Sequence, residues 1–255
     1  MLRQLIRRLA PLFLRRMLAQ ARRRLRDRRS GIDAGMLGCA PAPRHGLATC
    51  VKISQPIRQT AHFQGKLHNL RMAAKVLDGI AIPPGKIFSF WTLVGEPSAR
   101  NGFQLGRAIR GDVLGTDIGG GLCQISGLAY ELGLRAGLAV VERHAHTQDL
   151  YTNESRFTPL GLDATIVWGF KDLRLRNDFL QTVTLAFEVR QDRICGKVLA
   201  QQPFAPAQLV ISCDEACDGT SRIATVGRIM AHGQACQVSR DVYAVPAFLR
   251  QFRPA

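Results

Sequence analysis

The apolar positions of this chain change their period several times, and the changes divide it into elements. Between Lys66 and Asp78, Leu67, Leu70, Ala74 and Leu77 share one helical face, and Gly79 follows as a stop. After the Pro83-Pro84-Gly85 turn, the run from Lys86 to Val94 is rich in aromatic and branched residues, which predicts a strand. Gly95, Gly102, Gly106, Gly111 and Gly115 then break up residues 95–121 into short strands and turns. Helical spacing returns at Ile125, Leu128, Ala129, Leu132 and Ala136, with Gly137 as the stop, so a helix is expected to begin at Cys123. Leu138 to His146 reads as a strand that turns polar at its end. Strand period two would put Glu142, His144 and His146 on one face and Arg143 on the other.

A polar loop is expected over residues 147–160, and a further strand starting at Gly161 and running to Trp168, with Asp163 near its beginning. Asp172–Asn177, Gln181–Arg190 and Ile194–Ala200 continue as strands, with a hairpin turn at Gln191-Asp192. Leu209–Ser212, Arg222–Ala231 and Ala235–Val245 add more, the last two joined at His232-Gly233. This order predicts an α+β fold, mainly antiparallel sheet with a central helix beginning at Cys123.

The first thirty residues follow a different pattern. Leu2, Leu5, Ile6, Leu9, Leu12 and Phe13 recur at helical spacing among arginines, and Pro11 is expected to kink or restart that helix. Eleven arginines here face one acid, Asp27, so ten of the sixteen net positive charges lie in residues 1–30. The remainder is only mildly basic, which removes the main ground for nucleic-acid binding by the folded domain. The longest apolar run, Leu9 to Leu14, is far shorter than the ~20 residues of a membrane span. Such a segment suits the surface of an anionic membrane. It also reads as a nucleic-acid-binding tail or as an extension without fixed structure.

The expected organisation is a basic amphipathic segment at 1–30, a Gly/Pro-rich linker at 31–46 and one domain at 47–255. Its motifs lie in 60–190 and a β-rich part follows over 190–245. Seven cysteines at irregular spacing do not form a disulfide framework and fit a reducing compartment. The expected location is cytoplasmic, peripheral at the inner membrane surface. Cys213 and Cys217 lack the second pair that a zinc site needs, so no metal is expected, and no cofactor.

The candidate chemistry centres on Ile118-Gly119-Gly120-Gly121-Leu122-Cys123-Gln124-Ile125-Ser126. The glycines permit close backbone approach, and Cys123 then meets the free N–H groups and dipole of a helix start. That setting lowers a thiol's pKa; the same N–H groups also suit a carboxylate or phosphate. Cys123, then His146 or His144, then Asp163 supply in order a thiol, a base and an orienting acid. The amides of Cys123 and Gln124 are candidates for an oxyanion hole. The order is similar to the arrangement in transglutaminase-like and papain-like enzymes, and points to acyl transfer or hydrolysis on a peptide or amide substrate.

Two alternatives stay open at this stage, and with them the question of enzyme or not. Cys123 can be a buried structural residue. Or the loop can be a non-catalytic module holding an anionic, carboxylate-bearing ligand at Gly119, Gly120 and Gly121, with Gln124 and Ser126 beside it. Glu142 and Arg143 are candidates for ligand contact or for an internal ion pair.

Several blocks in order carry a family resemblance. Lys66-Leu67-His68-Asn69-Leu70, Pro84-Gly85-Lys86-Ile87-Phe88-Ser89-Phe90-Trp91 and Val94-Gly95 come first. The Gly119–Ser126 signature follows, then Val141-Glu142-Arg143-His144-Ala145-His146, Gly161-Leu162-Asp163-Ala164-Thr165 and Asp172-Leu173 with Asn177. Together these resemble the VanW family over roughly residues 60–190, and more weakly to about 245. That family takes its name from an accessory protein of vancomycin B-type resistance clusters. The resemblance therefore implies an accessory role at the cell envelope or in antibiotic resistance.

Overall fold

The computed structural model describes residues 11–110, 113–151, 156, 158–217, 219–229, 233 and 235–247. Residues 1–10 and the turn expected at His232 lie outside them. Helix α1 (Leu12–Arg29) begins directly after Pro11, where the proline's missing N–H would be unpaired in any case. It is followed by β1 (Ala40–Pro41), β2 (Ala48–Pro56), α2 (Phe63–Leu77), β3 (Ile80–Ile82), β4 (Ile87–Ser89) and α3 (Phe90–Val94). A hairpin, β5 (Leu105–Arg110) with β6 (Val113–Ile118), leads into the central helix α4 (Leu122–Ala136). After it come β7 (Ala139–Glu142), β8 (Arg174–Arg176), β9 (Val183–Val189), β10 (Arg193–Ala200), β11 (Leu209–Glu215), β12 (Ser221–Ile229) and β13 (Ala235–Ala244).

The strands form a five-stranded sheet in the order β1-β3-β9-β10-β2, two three-stranded sheets, β4-β8-β7 and β11-β12-β13, and the β5-β6 pair. Every one of these pairings is antiparallel. The expected α+β class, mostly antiparallel, is the observed one. The β9–β10 hairpin turns where Gln191-Asp192 predicted it.

Helix α4 is the core of the molecule because its small residues let neighbours approach from several sides. A Cβ on Gly133 would sit 2.5 Å from Leu175 of β8, and one on Gly196 of β10 would sit 2.5 Å from Leu132. The helix is thereby wedged between the five-stranded sheet and the β4-β8-β7 sheet. Ile125, Leu128, Leu132 and Leu134 are fully buried, each worth about 1.5–3 kcal/mol of hydrophobic burial. Gly137, at φ 86°, ends the helix as predicted, its N–H returning to the carbonyls of Gly133 and Leu134.

Two predicted strands are corrected. The run from Lys86 to Val94 is extended only through Ser89 and then becomes α3. The Ser89 hydroxyl caps that helix by accepting from the Thr92 N–H, and the buried Asp172 carboxylate accepts from the Ser89 hydroxyl and the Trp91 N–H. Capping chemistry there overrides an aromatic run that reads as β. The segment from Gly161 to Trp168 has strand-like burial, with Leu162, Ala164 and Ile166 inside, but no ladder. Side chains take its carbonyls instead: Ser126 donates to Ala164 O at 2.6 Å, and Arg143 to Gly161 O and Asp163 O.

Helix α1 does not trail away from the body. Arg16 pairs with Glu96 at 2.8 Å, Arg23 with Glu142 at 2.9 Å, and Asp27 with Arg174 at 2.8 Å. These contacts turn the polar side of the helix inward. Phe13, Leu14, Met17, Leu18 and Leu25 consequently face outward, Phe13 and Met17 being 65% and 62% exposed.

Candidate functional site

Cys123 is the second residue of α4, half-buried, just after the left-handed Gly121 that starts the helix at φ 98°. His146 lies four residues beyond the end of β7, and Asp163 on the irregular segment that packs along α4. Asp163 Oδ2 accepts from His146 Nδ1 at 2.6 Å and from the His146 backbone N–H at 2.7 Å. With Nδ1 thus engaged, the imidazole's other nitrogen is left for the thiol. His146 and the backbone N–H of Ile166 lie beside the Cys123 thiol and favour its charged form. The base and acid expected from the sequence are therefore hydrogen-bonded to each other, with the thiol beside the base.

The electrostatics follow from that arrangement. Burial opposes charge on Cys123, but the His146 hydrogen bond and charge and the Ile166 amide together lower its pKa. Burial likewise opposes charge on His146. Its bonds to Asp163 and Cys123 win, and its pKa is pushed up to about 10. Burial would raise Asp163, but His146, Arg143 and Tyr243 hold it well below the ordinary carboxylate range. Both shifts run the same way, the thiol toward thiolate and the imidazole toward imidazolium.

His144 goes elsewhere. Its Nε2 lies 3.0 Å from Glu142 Oε1, on the side of the molecule that α1 covers. Period two fails to keep His144 and His146 together because β7 ends at Glu142, with a register shift between Val140 and Glu142. Glu142 is buried against Arg23, His144 and the Asp172 N–H. Burial opposes its charge, yet these partners, His144 first, bring its pKa down to about 2. Arg143 is also internal. It donates to Asp163 Oδ1 at 3.0 Å, pairs with Asp241, and lies 5.0 Å over the Tyr130 ring. Both residues act as ion pairs within the fold, and Arg143 is the clamp that fixes Asp163.

The glycine loop is packed as tightly as the core. Gly120 carries no room for a side chain: its Cβ would lie 2.1 Å from the Gly106 carbonyl oxygen. Asn69, fully buried on α2, pins the loop by donating to Gly120 O at 3.0 Å and Gln104 O at 2.9 Å. The N–H groups of Gly119, Gly120, Leu122 and Gln124 donate to Gln104, Asp117, Gly119 and Gly121 carbonyls. Gln124 thus directs its amide inward, and its side chain donates to Pro56 O at 2.8 Å. Ser126 is fully buried and ties α4 to Ala164. Among the described residues the Cys123 amide has no such backbone acceptor.

Sequence reasoning missed Tyr243, Asp241 and Asn69. The Tyr243 hydroxyl donates to Asp163 Oδ1 at 2.5 Å and accepts from the Gly161 N–H at 3.1 Å. Tyr243 and Asp241 alternate on β13, about eighty residues away from Asp163 in the chain, and no local pattern marks them. Asn69 was visible only as a polar residue inside the apolar stripe of a helix.

Fold and site together define an α+β protein on antiparallel sheets, with a thiol at the start of its central helix beside a hydrogen-bonded imidazole and carboxylate. The chain belongs to the VanW family, whose profile, described as VanW like protein, matches residues 65–199. It is 35% identical over 143 residues to the vancomycin B-type resistance protein VanW of Enterococcus faecalis, covering 56% of this chain and 52% of that protein. It is 32% identical over 122 residues to YoaR of Bacillus subtilis, covering 48% of this chain and 39% of YoaR. The chain thus spans about half the length of the curated relatives it matches, or less. No solved structure matches it. Cys123, His146 and Asp163 lie inside the matched stretch, whereas Asp241 and Tyr243 lie beyond it.

Proposed function

We propose that Cys123 is the nucleophile of an acyl transfer or hydrolysis reaction on a peptide or amide, in an arrangement like that of transglutaminase-like and papain-like enzymes. The observation that carries this reading is the hydrogen-bonded His146–Asp163 pair beside Cys123, with the thiol pKa lowered and the imidazole pKa raised. The thiolate attacks the amide carbonyl carbon, and a C–S bond forms as the carbonyl π electrons move to oxygen. The Cys123 amide is placed to stabilise that oxyanion. When the tetrahedral species collapses, the C–N bond breaks and His146 gives its proton to the departing amine. Water or an acceptor amine then attacks the thioester and loses its proton to His146. The thiolate is released again. Asp163 does not gain a proton in this cycle; it holds the imidazole in the orientation that faces the thiol.

The same reading predicts selective chemistry. Iodoacetamide at pH 7 is expected to label Cys123 at least about tenfold faster than Cys39, Cys50, Cys195, Cys213, Cys217 or Cys236, as thiolate character governs the rate. Peptide mass spectrometry of a time course measures it. Labelling of Cys123 no faster than the exposed Cys213 and Cys217 would sink the nucleophile. The name of the Enterococcus relative also supplies a setting: an accessory role in vancomycin resistance, tested by challenging cells with and without this gene.

A further inference from the structure

Beside the glycine loop that leads into the nucleophile, two cations lie without an acidic partner among the described residues. Close backbone approaches bring them there. A Cβ on Gly65 would lie 1.9 Å from Leu105 O, one on Gly106 would lie 2.4 Å from Gly120 O, and one on Gly121 would lie 2.5 Å from Lys66 Cγ. Lys66 packs against Gly121 of the loop that leads into Cys123, and Arg107 on β5 is close enough to Lys66 to repel its charge. Both are half-buried. Most other half-buried arginines near the site have a carboxylate: Arg143 has Asp163 and Asp241, Arg174 has Asp172 and Asp27. Among the described residues, Lys66 and Arg107 have neither an ion pair nor a side-chain hydrogen bond. Asp117, across the hairpin from Gly106, turns its carboxylate to the Ile118 N–H.

The geometry points to an anion subsite at Lys66 and Arg107 that holds a carboxylate of the molecule whose carbonyl carbon reaches Cys123. This rests on the nucleophile reading and adds the substrate class to it. A carboxylate fits better than a phosphate because the N–H groups of Gly119, Gly120, Leu122 and Gln124, four of those that would cradle a phosphate, already donate to internal carbonyls. Burial first, then repulsion from Arg107 and Arg58, brings Lys66 down to about 8, a cost that a bound anion would relieve.

Paired alkylating reagents test the subsite without knowledge of the substrate. Iodoacetate carries a carboxylate and iodoacetamide does not. In the full chain at pH 7, the iodoacetate-to-iodoacetamide rate ratio at Cys123 is expected to fall about tenfold in Lys66→Met and in Arg107→Gln, the effect of one charge at a partly buried distance. Lys66→Arg should retain the ratio, and succinate should slow alkylation of the wild type but not of Lys66→Met. An unchanged ratio together with no protection by succinate overturns the subsite while leaving the nucleophile intact. If neither reagent labels Cys123 quickly, the nucleophile reading fails on its own. The subsite is then judged by whether succinate raises the thermal midpoint of the wild type and not of Lys66→Met.

A second, independent observation concerns α1. Its inward side is held by ion pairs of Arg16, Arg23, Arg26 and Asp27, and its outward side carries Phe13, Met17, Leu14, Leu18 and Leu25, with Arg22, Arg24, Arg28 and Arg29 exposed toward its C-terminal end. We infer that this face docks on an anionic lipid surface, the apolar residues entering the headgroup boundary and the arginines meeting its charge. No helix among the described residues is long and apolar enough to cross a membrane. Co-sedimentation with phosphatidylcholine vesicles containing a quarter phosphatidylglycerol should exceed that with pure phosphatidylcholine, and Phe13→Ser with Met17→Ser should reduce it about tenfold or more. No sedimentation with either vesicle, or equal sedimentation with both, overturns the inference.

Discussion

His146→Ala is expected to slow alkylation of Cys123 by iodoacetamide at pH 6 by about ten- to a hundredfold. An ordinary thiol with a pKa of about 8.5 is less than ~1% thiolate at that pH. In the wild type, the neighbouring imidazolium and the Ile166 amide are expected to stabilise the thiolate. Removing the ring returns the thiol to its neutral form. The higher intrinsic nucleophilicity of a more basic thiolate restores roughly half of that loss on a logarithmic scale, which sets the range. The pH profile separates charge from packing. His146→Ala should rise about tenfold per pH unit from 6 to 8, while the wild type stays nearly level. His146→Gln fills the same space without a charge and should follow alanine. Because the His146 pKa is raised from 6.5 to about 10, the stability it contributes is fully present below pH 6.5 and lost as pH rises through about 10. Parallel profiles for wild type and His146→Ala would remove the ion pair from the account.

The order thiol, histidine, acid was legible because each residue sits in a short local pattern: Cys123 at the start of an amphipathic run, His146 after a strand, Asp163 after a glycine. Geometry was legible only where the local pattern controls it, as at Gly137, whose positive φ ends α4 where the apolar spacing stops. The choice between His144 and His146 was not. It depends on where β7 stops pairing, and β7 stops because Glu142 is drawn into a buried cluster with Arg23, His144 and the Asp172 amide. One of those partners lies about 120 residues earlier in the chain. The Gly161–Trp168 segment shows the same limit from the other side. Leu162, Ala164 and Ile166 are buried in alternation, as in a strand, but burial alternates whether the backbone bonds are made by a neighbouring strand or by Ser126 and Arg143. Arg143 itself read as a ligand contact or, more readily, as an internal ion pair, without its partners being named. Only the return of β13, with Asp241 and Tyr243, makes it a clamp.

That clamp carries the largest expected loss of stability. Asp163→Ala is expected to lower unfolding stability by about 3–5 kcal/mol, the usual cost of leaving one member of a buried ion pair without its partner. Asp163 accepts four hydrogen bonds: from His146 Nδ1 and N–H on one oxygen, and from Arg143 and the Tyr243 hydroxyl on the other. Without it, Arg143 keeps Asp241 but its Nη2 loses a charged acceptor, and the imidazole loses the group that orients it. Alkylation of Cys123 should slow together with the loss of stability. The pH dependence has a definite sign. The folded Asp163 pKa is depressed below its ordinary 3.8, so its contribution is complete above that value and lost as pH falls through the lower folded value. Urea midpoints for wild type and Asp163→Asn should therefore lie far apart at pH 7 and converge on acidification below about pH 4. Tyr243→Phe supplies the control, removing one donor and leaving the charges, at about 1 kcal/mol. If Asp163→Ala cost no more than Tyr243→Phe, Arg143 would not depend on Asp163. The carboxylate would then be an orienting group for His146 alone, detectable in the alkylation profile and silent in the unfolding curve.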